Sequence, residues 1–341
     1  MTTAPKTVGS APTCEPIADH VVRVELPLPL PDLAAVNAYI IIGTDGVTLL
    51  DPGWDYAPSE TVLREALRSI GAGPSDVKQI LVTHQHWDHY SLAVRWSGTY
   101  GAELMLGREE RHSIEAFAAT SGVHPTQVGM LIAAGAPRLA QAIGKLEWES
   151  YERGIAFTPP DRWLTDGDVI DCGSTTIVAR ATPGHTRGHI VFDDVAHQMA
   201  FTGDHLLPRI TPSIAFERAP EPLPLRSYLS SLRLFLELPQ SRMLPAHGPT
   251  NRQTADRAQE LLDHHHERLT HICSLVAAGA STAFEVANRM RWTRHDRRLD
   301  ELDVVHQMTA VLEVAAHLDL LTVQHVLIGR EDAGVRTFGV A

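Results

Sequence analysis

The segment Thr83-His84-Gln85-His86-Trp87-Asp88-His89 packs four metal-competent side chains into six residues, directly after the compact apolar run Gln79–Thr83. His84 and His86 are two apart, so on extended backbone both project to the same side. Asp88 and His89 fall where the chain turns into the next helix and face a second point nearby. Imidazole nitrogens and carboxylate oxygens bind zinc at about 2.0–2.2 Å, whereas a structural zinc site favours cysteines and four closed ligands, so this set points to catalysis. Three further metal-competent residues stand in similar settings. They are His185 in Thr182-Pro-Gly-His-Thr-Arg-Gly-His189, Asp204 in Phe201-Thr-Gly-Asp-His205, and His247 in Leu244-Pro-Ala-His-Gly248. Each lies at a strand end beside Gly or Pro, where loops of α/β proteins gather functional groups.

The elements that must position these residues are readable from periodicity. His20–Leu26 alternates like a strand and meets Pro27–Pro31, which reads as a loop or sheet edge. Ala38–Gly43 and Val47–Asp51 are β-rich runs joined through Asp45-Gly46, a hairpin signal. Ser59–Ile70 repeats apolar residues at helical spacing and Gly71 ends it. A helix is expected after His89 to about Thr99, then a strand at Glu103–Leu106. Thr175–Ala181, Ile190–Asp193, Met199–Thr202 and Arg242–Pro245 read as strands, with a helix over Leu225–Leu238. Two strand-and-helix halves predict an α/β sandwich. Between them Arg108–Phe157 is Ala-rich and broken by Gly122, Pro125, Gly135 and Pro137, which predicts two to four inserted helices. This insertion is expected to act as a lid, its Phe117, Val123, Met130, Leu131, Ile132 and Leu139 walling the metals. Residues 17–251 thus form the expected catalytic domain, with residues 1–16 a flexible tail. Past Asn251 the pattern is helical over Thr254–Ala278, from Ser281, and over Leu302–Leu321, before two short apolar runs. Residues 252–341 are expected to form a winged-helix-like module.

His-x-His-x-Asp-His, Pro-Gly-His, Gly-Asp and a late Ala-His-Gly, in this order, resemble the metallo-β-lactamase superfamily. Leu49-Leu-Asp-Pro-Gly53 is similar to that superfamily's early Asp-x-Gly turn. The resemblance covers about residues 20–250. It implies the four-layer αβ/βα sandwich with two metals at the sheet edges. Carried over, it implies that His84, His86 and His185 hold one metal, that Asp88, His89 and His247 hold the second, and that Asp204 bridges them. Asp51 would orient a ligand imidazole. Two metals about 3.5–4 Å apart lower the pKa of a shared water and polarise a substrate oxygen. Asp88 or the metal pair would then manage the proton passed to the leaving group. The imidazole-rich set favours two Zn(II) ions, with Fe or Mn next, over Mg or Ca.

Other conspicuous residues read more plainly. His189 and His205 flank ligands as structural groups, and Cys172 as a small packed residue. Tyr90 and Arg187 are expected either to touch substrate or, respectively, to pack and to form a surface salt bridge. His264-His265-His266 lies on a helix, where consecutive side chains point about 100° apart, so it reads as a solvated face and no metal site.

Composition narrows the function classes. The 341 residues carry a net charge of −12 with only 3 lysines (Lys6, Lys78, Lys145), which counts against gripping nucleic-acid phosphates. The third C-terminal helix is largely apolar without Lys or Arg. The basic cluster Arg289, Arg291, Arg294, Arg297 and Arg298 faces Asp296, Asp300 and Glu301, so nucleic-acid binding is disfavoured. That module is expected to pack against the core or a second subunit, the module or the insertion being the surface for a homodimer. No uncharged apolar run approaches the ~18 residues of a membrane span. Three scattered cysteines suggest a reducing, cytoplasmic setting. The expectation is a dinuclear-metal hydrolase using a metal-bridging hydroxide on an acyl carbon of a small-molecule or acyl-chain substrate. Thioester, ester and lactone fit, with thioester favoured. A metal-dependent phosphodiesterase or ribonuclease and a mononuclear iron persulfide-type dioxygenase stay open as alternatives.

Overall fold

The computed structural model describes residues 14–30, 33–155, 157–214, 216–293 and 295–341. Among these, a seven-stranded sheet runs in sequence order through β1 (Cys14–Ala18), β2 (Val21–Pro27), β3 (Ala35–Ile42), β4 (Val47–Leu50), β5 (Val77–Val82), β6 (Glu103–Gly107) and β7 (Arg162–Leu164). The first four strands pair antiparallel, whereas β4–β5 and β5–β6 are parallel. Parallel neighbours require a crossover, supplied by α1 (Ala57–Ser69) and α2 (Trp87–Tyr100). The insertion holds α3 (Arg111–Ala119), α4 (Pro125–Ala133) and α5 (Pro137–Ile143). A six-stranded sheet follows, with β8 (Val169–Asp171), β9 (Thr176–Ala181), β10 (Ile190–Asp194), β11 (Met199–Gly203), β12 (Arg242–Pro245) and β13 (Arg252–Gln253) in the order β13-β12-β11-β10-β9-β8. α6 (Pro224–Glu237) makes its one parallel crossover, from β11 to β12.

Side-chain alternation stacks these elements into four α/β layers. In β3, Val36, Ala38 and Ile40 pack toward α1 and α2, while Tyr39 and Ile41 fill the space between the sheets. In the second sheet Ile190, Phe192, Met199 and Phe201 meet them there, and Val191, Ala200 and Met243 face α6 on the far side. This period of two is the expected αβ/βα sandwich. The tail is shorter than its composition suggests: Cys14–Pro16 are the start of β1 and pair with β2. The rest of that tail, residues 1–13, lies outside the described residues. β7 and β8, each three residues long, carry too short a pattern to be read in advance.

The C-terminal segment contains α7 (Thr254–Ala277), α8 (Ala283–Arg289), α9 (Val304–Val323) and the hairpin of β14 (Leu327–Asp332) and β15 (Val335–Val340). It does not stand apart from the insertion. Leu131, Leu139, Ala140 and Ile143 share one hydrophobic core with Val286, Met308, Val311, Leu318, Leu327 and Phe338. The expected wall over the metals is corrected accordingly: Leu131 and Leu139 are buried in this core, Met130 packs on it, and Ile132 is 45% exposed. α9 is long and apolar enough to cross a membrane by composition, but over half of it is buried here as a core helix. Among the basic residues beside it, Arg289 donates to Ala278 O and Arg298 pairs with Asp300, while Arg294 lies outside the described residues.

The histidine triplet is also corrected. His265 is fully buried, its Nδ1 3.1 Å from His317 Nε2 on α9, while His264 is half-buried and His266 exposed. The 100° helical step that sends the three rings different ways is what drives the middle one inward. Met308→Ala, in the shared core, should cost about 2–5 kcal/mol, measured as a lowered urea midpoint, with metal content unchanged because the site lies in another layer.

Candidate metal centre

Every residue singled out as metal-competent arrives at one edge of the sandwich. His84 follows β5, His86 precedes α2, and Asp88 and His89 occupy that helix's first turn. His185 sits in the β9–β10 turn, and Asp204 and His247 follow β11 and β12. Two glycines make the approach close enough. A Cβ on Gly184 (φ +140°) would lie 2.4 Å from the Tyr228 Cβ, and one on Gly203 (φ +50°) 2.6 Å from Thr83 Oγ1. Asn37 Nδ2 donates to Pro245 O at 2.9 Å and Gly248 O at 2.8 Å, so β3 of one sheet holds the His247 loop of the other.

The donor atoms fall into two groups. In the first, His86 Nδ1 lies 2.9 Å from His84 Nε2 and 3.1 Å from His185 Nε2. In the second, His247 Nε2 lies 3.3 Å from Asp88 Oδ2, and His89 Nε2 3.7 Å from the same oxygen. Asp204 stands between them. Its Oδ2 is 3.6 Å from His185 Nε2, while its Oδ1 is 3.3 Å from His247 Nε2 and 3.8 Å from His89 Nε2. The rings are aimed by their other nitrogens. His185 Nδ1 is 2.8 Å from Ser213 O, His247 Nδ1 2.9 Å from Ala35 O, and His89 Nδ1 3.0 Å from Asp51 Oδ2. Asp51 has φ +47°, a conformation Asp tolerates better than most residues. It is fixed by Thr83, whose N and Oγ1 each donate to its carboxylate at 2.8 Å.

These atoms do not satisfy one another. Among the described residues, His86 Nε2, His89 Nε2, His247 Nε2 and Asp204 Oδ1 are buried without hydrogen-bond partners. At most one proton can sit on His86 Nδ1 to serve the two nitrogens facing it. Burial, and then the neighbouring imidazoles, hold His84 and His86 well below the usual histidine range, so both rings stay neutral and keep lone pairs. Burial works against charge on His89 as well, yet Asp88, Asp51 and Asp204 outweigh it and push this ring up to about 10. Buried, unpaired polar atoms are costly, and converging lone pairs and carboxylates are what a divalent cation resolves. The residues fit a metal.

The remaining expectations divide. Tyr90 is fully buried and donates to Thr158 O at 2.7 Å, a packed position at the helix start. Arg187 Nε lies 3.4 Å from Glu109, a surface salt bridge. His189 is buried and accepts from the Asp204 backbone N at 3.3 Å, and His205 is enclosed by Tyr228 and Phe235. Cys172 is buried, its thiol pushed up to about 11 by desolvation.

Reasoning from sequence missed the surroundings of the site. Phe216 lies 6.0 Å from the His86 ring and 5.3 Å from His124. Trp87 gathers Phe117, Trp148 and Phe157 at 4.8–6.0 Å between ring centroids. Phe117 is thus the one residue of the expected wall that joins the aromatic group beside the metal-competent histidines. Arg218 stacks on Phe117 at 4.1 Å and donates to Thr120, Gly122 and Val123, tying the insertion to the Phe216 loop. Behind His185, Thr186 Oγ1 donates to the buried Glu110, and Ser113 Oγ and Arg187 N donate to Glu217. Apart from Phe117 and Arg187, the local signal for these surroundings was Trp87, inside the histidine motif.

Comparisons with known proteins agree with this geometry. A family model of the metallo-β-lactamase superfamily matches residues 31–247. A crystal structure of a β-lactamase domain protein from Burkholderia ambifaria superposes with a TM-score of 0.76 at 28% identity, covering 98% of this chain and 96% of that one. The probable metallo-hydrolase YqjP of Bacillus subtilis is 22% identical over 91% of this chain and 94% of its own length. The acyl-coenzyme A thioesterase MBLAC2 of Gallus gallus is 27% identical over 49% of this chain and 56% of its own length. With its matched model, shared fold and converging His and Asp side chains, the chain belongs to the metallo-β-lactamase superfamily and is a metallo-hydrolase.

Proposed function

We propose that this protein hydrolyses an acyl thioester, ester or lactone, thioester foremost, at a dinuclear divalent-metal centre. The carrying observation is the division of donors: one triad on each side of Asp204, with one carboxylate oxygen turned toward each. In this reading His84, His86 and His185 hold one ion, Asp88, His89 and His247 the other, and Asp204 bridges. When bound, the ions, of which Zn(II) suits the donors best, supply an activated water and polarise the acyl oxygen. The chain's own residues do the rest. Asp51 holds the His89 ring so that Nε2 faces the site. Ser213 and Ala35 carbonyls do the same for His185 and His247. Asp88 takes the proton released as the water oxygen bonds to the acyl carbon, and returns it to the departing sulfur or oxygen as that bond breaks. Phe216, Trp87 and their aromatic neighbours supply an apolar flank suited to an acyl chain. MBLAC2, named for acyl-coenzyme A hydrolysis, supports the thioester over other acyl bonds. The absence of Lys and Arg from α9 weighs against a nucleic-acid substrate.

The test is a panel of acyl-thioesters, lactones, β-lactams and bis-aryl phosphodiesters assayed with metal analysis on the same sample. Acyl hydrolysis with about two metals per chain is expected. One tightly held iron, or turnover of the phosphodiester alone, would sink the proposal. Asp88→Ala should lower kcat by at least about a hundredfold, the scale of general acid–base catalysis, with an unchanged circular-dichroism spectrum. For Asp51→Ala the expected loss is about 10–100-fold in metal affinity, read by competition with a chromogenic chelator.

A further inference from the structure

A second cluster of metal-competent side chains lies at the opposite edge of the sandwich. β10 begins at Ile190, next to the site residue His189, and ends at Asp194. At ~3.3 Å per residue it carries the chain roughly 15 Å from the metal centre. There His20, from the turn between β1 and β2, meets Asp194 and His197, the latter from the turn between β10 and β11. His20 Nε2 is 3.2 Å from Asp194 Oδ2, and His197 Nδ1 is 2.9 Å from Oδ1 and 3.0 Å from Oδ2. The two rings sit 4.2 Å apart, and the ligand atoms of all three residues lie within 4.8 Å of one another. Asp194 is wholly buried, His20 nearly so, and the His197 side chain is 42% exposed.

We propose that His20, Asp194 and His197 form a further metal site, separate from the catalytic centre, that takes a zinc-class divalent cation and clamps the two sheets together. Two imidazoles and one carboxylate are a donor set that zinc favours over magnesium or calcium. Each ring presents one nitrogen to the same point, and the open side at His197 leaves room for water as a fourth ligand. The carboxylate is already held in place: Thr175 Oγ1 donates to Asp194 Oδ1 at 2.9 Å, and the His197 backbone N at 3.2 Å. Such outer partners are what orient metal-binding carboxylates. As neutral tautomers the two rings each have a single N–H to give the carboxylate, whereas one divalent ion engages both ring lone pairs and the carboxylate at a single point. The clamp joins residues 174 apart in sequence, and closing a long loop removes most entropy from the unfolded chain.

The experiment dialyses the full-length protein to equilibrium against micromolar zinc and counts bound metal in the wild type, in His197→Gln and in His20→Ala/His197→Ala. His197→Gln keeps an N–H donor for Asp194 at a half-exposed position, so its folding is spared while a ligand is lost. Both variants should hold one zinc fewer than the wild type, keep its hydrolase activity, and show a smaller zinc-induced rise in Tm. Because the readout is a difference, it stands whatever number of ions the catalytic centre holds. Equal zinc counts in all three proteins would overturn the proposal and leave a hydrogen-bonded clasp. Loss of more than one zinc together with activity would overturn it too, by showing that the cluster is not separate from the catalytic centre.

Discussion

Buried nitrogen lone pairs and carboxylate oxygens crowd against one another at the edge of the two sheets, and most of the architecture answers to that crowding. His84 and His185 both direct Nε2 at one nitrogen of His86, while Asp88 and Asp204 face His89 and His247 across gaps of 3.3–3.8 Å. Without a cation these groups are unsatisfied and costly to bury. Holding them there requires stiff support. Asp51 is pinned by Thr83 in a left-handed conformation, two glycines admit backbone where no side chain fits, and backbone carbonyls take the outward nitrogens of His185 and His247.

The sandwich supplies that stiffness through its layers. The core between the sheets, with Tyr39, Ile41, Phe192 and Phe201, keeps the edges of β5, β11 and β12 at a fixed separation. Asn37 and the Tyr39 hydroxyl then reach from β3 to the carbonyl of Pro245, two residues before His247. A ligand set drawn from both sheets therefore depends on their packing as much as on the motifs themselves.

The insertion plays two parts that its sequence does not separate. α4 and α5 complete the core of the C-terminal helices, whereas Phe117 of α3 stacks on Phe157 and meets Trp87 of the histidine motif. Arg218 joins the parts, since it stacks on Phe117 and bonds to the α3–α4 connection. The aromatic group around Trp87 is consequently linked through the insertion to the packing of α9.

The metal-competent residues were legible in the sequence because short-range geometry encodes them. A histidine pair two residues apart after a strand, an acid in the first turn of a helix, and Gly or Pro beside each later residue are local patterns that survive without knowledge of the fold. The two layered halves were legible for the same reason, since alternation and helical spacing report which face is buried. What tertiary structure alone decided is every relation between distant segments. It determined which oxygen of Asp204 meets which triad, that Tyr90 and His265 turn inward, and that Cys14–Pro16 join a sheet. It also set α5 into a core some 170 residues downstream and brought His20 to Asp194 across 174 residues. Periodicity tells a side chain which way to face, but its partners come from strand order and layer packing, which no local pattern carries.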